Sequence, residues 1–169
     1  MAYNAVPTYA NTQLIDEDDF NLYLRDNMEF FYKGISARVY HNTTQSMTLA
    51  TVNYVLFNTD RFDNTAMHDP VSNTSRLTAI VAGVYEFYFN GEWATAPASG
   101  EAYFHLNRTD IYGYQTQAGA KRFIISSGPV LMTAGQYMEV VLNPVSTQTL
   151  NSTAKYSPEF CAVWRGSGL

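Results

Sequence analysis

Histidine and cysteine are the residue types that most often carry catalysis or bind metals, and this chain has few of them. His41, His68 and His105 lie far apart in the sequence, and Cys161 is the single cysteine. The chain contains neither a His-x-x-x-His nor a Cys-x-x-Cys spacing, the two patterns typical of metal sites. Cys161 lies in an apolar stretch, where a buried and unreactive thiol is the common case.

Other motifs of catalysis are missing as well. The sequence has no Gly-x-Ser-x-Gly, which would expose a serine nucleophile, and no glycine-rich loop that would cradle a phosphate. No pair of carboxylates stands out as an acid and a base. We therefore predict that the chain is not an enzyme, and we assign it no catalytic residue, no cofactor and no metal.

The acidic segment from 58 to 69 offers an alternative to the prediction that the chain binds no metal. Asp60, Asp63 and Asp69, together with Asn58 and Asn64, supply enough carboxylate and amide oxygens for a calcium ion. Their spacing does not match the calcium loop of an EF-hand, and segments rich in Asp and Asn commonly form turns in which the side chain bonds the backbone. Turn formation is the favoured interpretation, and calcium binding is the alternative.

For three further side chains, the position within a strand-like segment predicts whether they lie in the core or on the surface. His105 alternates outward together with Tyr103, so we predict that it lies on a polar face or at a subunit contact. Trp93 and Trp164 also fall within such segments. We predict that both tryptophans belong to the core and not to a glycan-binding surface.

The composition narrows the class of protein. The 169 residues are enough for one domain with its own core. Charged residues make up only 15% of the chain, against about 25% in a typical protein, which excludes a disordered chain and a basic nucleic-acid binder. No apolar run approaches the roughly 20 residues of a membrane span, and the first residues do not resemble a signal peptide. We expect a soluble, β-rich protein that does not bind nucleic acid and does not insert into a membrane.

The first 33 residues differ from the rest in charge and in periodicity. They contain six acidic and two basic residues, whereas residues 34–169 contain nine and eight. Residues 1–14 show no periodicity and are predicted to form an extended arm. Acidic residues then precede apolar residues at helical spacing, which predicts a helix near 16–32 that ends at Gly34.

After Gly34 the apolar residues alternate with a period of two, which is typical of β-strands. The strongest pattern lies at 84–93, and further strands are predicted at 37–40, 52–57, 102–106, 122–126, 138–142 and 160–164. Turn signals that contain glycine or proline separate these segments. The pattern predicts an all-β fold, a jelly-roll β-sandwich of about ten antiparallel strands preceded by the extended arm and one short α-helix.

Six ordered motifs lie within the β-rich part. They are Phe57-Asn58-Thr59-Asp60-Arg61-Phe62-Asp63, Met67-His68-Asp69, Ser75-Arg76-Leu77-Thr78, Ala82-Gly83-Val84-Tyr85, Gly135-Gln136-Tyr137 and the aromatic segment from Phe160 to Gly166. In this order they resemble the tumour-necrosis-factor-like jelly roll, specifically the globular head of complement component one q. The resemblance spans about 35–166. It implies a trimer, and some heads of this family bind calcium near their apex.

The N-terminal segment carries a second resemblance. Leu14-Ile15 is followed by Phe20-Asn21-Leu22-Tyr23-Leu24-Arg25-Asp26-Asn27 and by Phe30-Phe31. This resembles the leader of many tailed-bacteriophage virion proteins, in which a short helix with an Asn-x-x-x-Arg-Asp-Asn pattern precedes a head of this type. The resemblance implies a non-enzymatic virion component that assembles as a homotrimer.

The aromatic content favours assembly independently of these resemblances. The chain has 13 tyrosines and 10 phenylalanines, more than one small core can bury. Both faces of the strands at 101–107 and 158–165 carry apolar side chains, as Tyr103 and Phe104 illustrate. A sheet with two apolar faces needs a second covering surface, which either copies of the chain or its own loops and N-terminal helix would supply. We predict a trimer held by the outward faces of these strands.

We therefore expect residues 1–33 to form a docking or trimerisation element and residues 34–169 to form a jelly-roll head. The predicted function is that of a non-enzymatic bacteriophage structural protein, located in the virion and displayed on its surface as a capsid decoration or head-knob protein. Its predicted partners are its own copies and, through 1–33, the major capsid protein or other virion proteins.

Two other functions are weighed against this one. The main alternative is a tail-fibre or receptor-binding module that contacts a host surface glycan or protein. A fibre that reaches a receptor needs a coiled-coil, collagen-like or β-helical shaft, and the sequence contains none, which favours display close to the particle. A secreted animal ligand is the second alternative, and the phage-like leader argues against it.

Overall fold

The computed structural model describes residues 16–25, 27–28, 34–49, 51–153 and 158–168. The chain divides into two compact units, Met1–Ile35 and Ser36–Leu169. The arm predicted at 1–14 lies outside the described residues.

A short helix begins in the first unit at the acidic residues. Asp16 is its N-cap, and the Asp16 carboxylate accepts a hydrogen bond from the backbone N–H of Asp19 at 2.8 Å. Helix α1, Glu17–Phe20, continues into a π-helical turn at Asn21–Arg25. The predicted helix is thus confirmed in its first part, and residues 26 and 29–32 of its predicted course lie outside the described residues. No helix in the described ranges is long and apolar enough to cross a membrane.

The second unit is built from β-strands. In its described residues these are β1 Ser36–Tyr40, β2 Gln45–Met47, β3 Asn53–Tyr54, β4 Thr59–Asp63, β5 Arg76–Thr78, β6 Gly83–Glu92, β7 Gly100–Leu106, β8 Asp110–Gln117, β9 Arg122–Met132, β10 Tyr137–Pro144, β11 Gln148–Leu150 and β12 Glu159–Gly166. Sheet 1 has the order β4-β1-β12-β6-β9. Sheet 2 has the order β3-β10-β7-β8, with β5 also paired to β10, and β2 and β11 form a small separate sheet.

All of these pairings are antiparallel, so the predicted jelly-roll sandwich is confirmed. Six predicted strands correspond to β1, β6, β7, β9, β10 and β12. The strand predicted at 52–57 is shorter than expected, because only Asn53 and Tyr54 pair with β10 as strand β3. Beyond them, the backbone N–H of Val55 still donates to the carbonyl of Val140 at 2.9 Å.

The core lies between the two sheets and is rich in aromatic rings. The ring of Phe160 in β12 packs against Phe57, Phe87 and Phe104, with centroid separations of 5.4, 5.8 and 5.7 Å. Because successive strand residues point to opposite faces, these inward rings determine which neighbours point outward. Trp93 is buried in the core as predicted, whereas Trp164 near the end of β12 is only partly buried.

The two ends of the sandwich are distinguished by strand register. Ser36 pairs with Val163, so β1 begins and β12 ends at one end. Strand β6 runs away from this end, and the connection at 93–99 carries the chain into β7 at the other. There Gly100 pairs with Pro144 of β10. We call this the distal end.

Candidate functional site

The outer face of sheet 1, meaning the side chains that point away from the core, carries exposed apolar residues. Phe62, Tyr88, Ile124 and Leu131 are exposed, and Cys161 and Val163 beside them are partly buried. Ile124 and Leu131 of β9 are 71% and 67% exposed, and Phe62 of β4 is 50% exposed. Exposed apolar side chains grouped on one face indicate a surface that contacts a partner.

Charged side chains on the same face are paired within the chain. The Glu159 carboxylate accepts hydrogen bonds from Arg38 and Arg61. The Glu86 carboxylate accepts two from Arg165, at 2.9 and 2.6 Å. The Glu86–Arg165 pair is neutral, whereas Glu159 faces two arginines and leaves one excess positive charge, so a partner that covers the face would meet its apolar residues and this charge.

Of the two strands expected to hold a trimer, only β12 belongs to this face. Residues 101–107 lie in β7 of sheet 2, on the other side of the sandwich. The outward Tyr103 of β7 is only 6% exposed, because it packs against Tyr114 and His105. The predicted use of 101–107 as an apolar contact surface is therefore wrong, since neighbours in the same sheet already cover it.

The outer face of sheet 2 contains a fully buried carboxylate, Glu139 of β10. Arg108 donates to it in a bidentate fashion, through Nε at 2.8 Å and a terminal nitrogen at 3.0 Å. The hydroxyl of Ser75 donates at 2.6 Å, and Nε of Arg76 at 3.4 Å. Burial alone would raise the pKa of Glu139, but the hydrogen bonds from Arg108 and Ser75 outweigh it and hold the pKa below its usual value.

Aromatic rings lie beneath both guanidinium groups. Arg76 sits 3.8 Å from the ring centroid of Tyr137, and Arg108 sits 4.3 Å from that of Tyr54. The Tyr54 hydroxyl is in turn hydrogen-bonded to Nδ1 of His105 at 3.1 Å. The predicted position of His105 on an outward polar face is thus found in sheet 2, where the imidazole joins a tyrosine–arginine network.

A bulge in β8 determines where Tyr114 points. The register shifts so that Gly113 and Tyr114 both lie opposite Tyr103. Gly113 has a φ of +59°, and a Cβ at this position would lie 2.3 Å from the carbonyl oxygen of Ser126 in β9. Glycine is therefore required here, and the bulge directs the next side chain outward.

The ring of Tyr114 is held in place on one side. It stacks on Tyr103 with a centroid distance of 6.2 Å and an interplanar angle of 20°. Its hydroxyl donates to Oε1 of Glu101 at 2.7 Å, and this bond raises the pKa of Tyr114. Tyr103 is itself hydrogen-bonded through its hydroxyl to the amide of Asn143, at 3.3 Å. Tyr114 is nevertheless 55% exposed, so its remaining surface faces solvent.

Tyr114 and Glu101 form one wall of an open groove at the distal end. The groove has a volume of about 470 Å³, and its other walls include the apolar side chains of Leu49, Val52 and Val145. Sequence reasoning did not identify this groove, because its residues come from four separate segments that only the strand order brings together. We call it the distal groove.

The acidic segment predicted as a turn or a calcium site forms hydrogen bonds to its own backbone. Asp63 accepts the N–H groups of Thr65 and His68 at 3.1 and 2.8 Å. Asp69 accepts two N–H groups from the residues that follow it, both at 2.9 Å. Within the described ranges, no group of three or more His, Cys, Asp or Glu is arranged to hold a metal ion. The geometry corresponds to the turn-forming alternative.

Asp60 and His68 form a pair whose composition matches part of a catalytic triad. Nδ1 of His68 lies 2.6 Å from the Asp60 carboxylate, and Nε2 lies 3.2 Å from the backbone carbonyl of Thr74. The His68 side chain has no exposed surface. In a triad Nε2 would face a nucleophile. Here Nε2 faces a backbone carbonyl, and the pair connects strand β4 to the following loop.

The remaining candidates for chemistry are His41 and Cys161. His41 is buried, with Nε2 3.1 Å from the hydroxyl of Thr43, and burial lowers the pKa of the imidazole. Cys161 lies partly buried on the outer face of sheet 1, and burial raises the pKa of its thiol. A raised pKa disfavours the thiolate, which is the reactive form of a cysteine.

No protein-family model and no curated protein matches the sequence. Solved structures, however, match the fold. The globular domain of zebrafish complement 1qA is 13% identical, with a TM-score of 0.53 over 79% of this chain and 98% of that one. Eiger TNF from S. frugiperda is 14% identical, with a TM-score of 0.56 over 80% of this chain and 95% of that one.

Murine APRIL is similar in the same way, with 9% identity and a TM-score of 0.58 over 76% of this chain and 98% of the APRIL chain. None of these three proteins comes from a bacteriophage, so the resemblance of the N-terminal segment to phage leaders stays a prediction. At such identities the likeness concerns the fold alone. The chain has the jelly-roll fold of the complement-1q and tumour-necrosis-factor heads.

Proposed function

We propose that the chain is a non-enzymatic head that assembles as a homotrimer through the outer face of sheet 1 and is displayed on a bacteriophage particle, as a capsid decoration or head-knob protein. The observation that carries the proposal is the exposure of Phe62, Ile124 and Leu131 on that face. A soluble chain gains free energy when such residues are covered by another copy.

The position of these residues favours a closed ring over a two-fold dimer. Each protomer of a ring contributes two different contact surfaces, whereas a two-fold dimer uses one surface twice. Phe62 lies in β4 and both Ile124 and Leu131 lie in β9, and these strands form the opposite edges of sheet 1. Two separate apolar edges favour a ring, because each edge can contact a different neighbour. The heads that the sequence resembles are trimeric, so we propose a ring of three protomers.

Display on a particle is supported by the N-terminal segment. The stretch from Leu14 to Phe31 resembles the leader of tailed-phage virion proteins, and the acidic residues at its start are the N-cap and first turn of a helix. We assign residues 1–33 to docking on the capsid or on other virion proteins. The absence of catalysis is part of the proposal, and it is supported by the structural hydrogen bonds that occupy both ring nitrogens of His68.

A second candidate function is attachment to the host surface. The observation that favours it is the distal groove, which lies on the side of sheet 2 and would stay open in a trimer built through sheet 1. In this role the head would bind a host glycan or protein while the N-terminal segment holds it on the particle.

Ile124→Glu tests the assembly by sedimentation velocity. Since Ile124 is 71% exposed in the single chain, the substitution leaves the fold intact, but it places a carboxylate in the proposed interface. We expect the wild type to sediment at about three times 19.0 kDa and the variant as a monomer with an unchanged circular-dichroism spectrum. Ile111→Glu is the matched control, because Ile111 is 54% exposed on the outer face of sheet 2, and this variant stays trimeric. A monomeric wild type or a trimeric Ile124→Glu variant contradicts the proposal.

A further inference from the structure

We propose that the distal groove binds a neutral oligosaccharide, with the exposed face of Tyr114 as a stacking platform for a sugar ring and Glu101 as a partner for sugar hydroxyls. The inference rests on the second candidate function, attachment to the host surface, and names the class of ligand that such attachment would use.

The Tyr114 ring is held in position before any ligand binds. One face is backed by Tyr103, and the hydroxyl is fixed by Glu101, so the ring is immobilised before any ligand arrives. The ring remains 55% exposed. One face of a pyranose presents C–H groups, and a flat aromatic ring is the surface on which such a face packs best. Binding to an already ordered ring avoids the entropy loss of ordering it.

Hydrogen-bonding groups lie beside the Tyr114 ring. Oε1 of Glu101 accepts from Tyr114, while Oε2 forms no hydrogen bond with the described residues and is left as an acceptor. Ser99, Thr51 and Thr116 add hydroxyl or backbone groups to the walls. A carboxylate with several neutral polar groups next to an aromatic face matches the alternation of C–H and O–H groups on a sugar.

The charge and the volume of the distal groove favour a small neutral ligand. Among the described residues that line the groove, Glu101 is the only charged side chain, and no Lys, Arg or His faces it. An anionic glycan would be repelled by this carboxylate without any compensating cation, so a neutral ligand is favoured. The volume of about 470 Å³ lies within the range of small-molecule sites, roughly 300–1,000 Å³.

Access to the groove is compatible with the assembly. Its residues lie in sheet 2 and in loops at the distal end, away from the end where β1 begins and β12 finishes. A trimer built through the outer face of sheet 1 would present three such grooves. Three weak sites on one rigid body bind a glycan-coated surface far more tightly than one.

Saturation-transfer-difference NMR on the full-length protein tests the proposal. The probes are four neutral disaccharides (lactose, maltose, cellobiose and N,N′-diacetylchitobiose) and the anionic trisaccharide 3′-sialyllactose. We expect saturable binding of at least one neutral disaccharide, with transfer to the C–H protons of one ring face. We also expect 3′-sialyllactose to bind more weakly than that sugar.

Three variants locate the site. Tyr114→Ala removes the stacking ring, and we expect the affinity to fall about tenfold or more. Tyr114→Phe keeps the ring, and its affinity stays within about threefold of the wild type. Ile111→Ala, at a similarly exposed position on the same strand, is the control for a surface change and leaves binding unaltered. Circular dichroism and sedimentation of each sample establish that the variants are folded and assembled like the wild type.

The outcomes separate this inference from the functions on which it depends. A trimer that binds none of the neutral disaccharides overturns the inference, and so does binding that survives Tyr114→Ala. Either result leaves the trimer in place. If the trimer adsorbs to host cells and Tyr114→Ala adsorbs equally well, attachment stands and the glycan groove does not, which would point to a protein receptor.

Discussion

At the scale of single residues, the most informative side chain is that of Glu139, because the sequence did not reveal which residues surround it. Glu139 is a charged residue between Met138 and Val140 in a predicted strand, and the alternation of side chains along a strand places it on the outward face. It does point outward, but Arg76 and Arg108 from distant segments cover it completely. Such partners are set by strand order and cannot be identified from the local pattern. An ion pair of this kind stabilises the fold only while both partners are charged.

Glu139→Gln should therefore lower the stability and alter its pH dependence. We expect a loss of about 2 kcal/mol at pH 7, because charged hydrogen bonds to Arg108 and Ser75 are replaced by neutral ones. The pKa of Glu139 is lower in the folded chain than its ordinary value of 4.5, so its contribution is present above pH 4.5 and is lost as the pH falls through the folded pKa. Urea midpoints of the wild type should decline between pH 5 and 3 more steeply than those of the variant.

The control is Glu101→Gln, which changes a more exposed carboxylate on the same face and should alter the stability by less than about 0.5 kcal/mol. Parallel pH profiles for the wild type and Glu139→Gln would refute this account.

At the scale of the element, the sequence identified strands in which one face is buried and the other is exposed. It missed strands whose two faces are similarly exposed. Strand β6 was predicted because every second side chain is buried in the core. Strand β8 was missed because it is largely exposed and is interrupted by the bulge at Gly113. The turn before it also lacks a glycine, although Asn107 and Arg108 both have positive φ, 48° and 61°. From this uncommon backbone conformation Arg108 donates two long-range hydrogen bonds to Glu139, and no local sequence signal predicts these bonds.

The bulge itself is tested by Gly113→Ala. A side chain at this position meets both an unfavourable φ of +59° and the carbonyl oxygen of Ser126, a backbone atom that cannot move aside. Gly119→Ala is the matched control, because Gly119 has a φ of +65° but open space around its Cβ position. We expect the control to cost about 1 kcal/mol and Gly113→Ala at least twice as much, measured as shifts in thermal and urea midpoints. Equal losses for the two variants would show that the contact between β8 and β9 is not tight.

At the scale of the whole molecule, assigning strands to sheets was the step that the sequence could not supply. Residues 101–107 and 158–165 have similar apolar patterns but lie in different sheets, and only the second has outward apolar side chains, Cys161 and Val163, that are partly exposed. Sheet 1 joins β1 to β12 and β12 to β6, strands that are far apart along the chain. The motifs that resemble known heads indicated this topology only by way of the jelly-roll fold that those heads share. The distal groove, which has no counterpart among those motifs, became visible only in three dimensions.

The proposed roles of the two parts, docking by residues 1–33 and assembly by the jelly-roll head, lead to the last prediction. The head has its own core and paired sheets within Ser36–Leu169, so a chain without residues 1–33 should fold and form trimers. It should not attach to particles that lack the protein, because the docking element is gone. Three segments on one trimer attach multivalently, so even weak binding by each gives stable decoration, and its loss is close to complete. Cosedimentation of purified protein with such particles measures the occupancy. A chain with the first 33 residues in scrambled order is the matched control, and it should fail to attach although its length and charge are preserved. Wild-type occupancy by the truncated head would place the docking surface on the jelly roll instead.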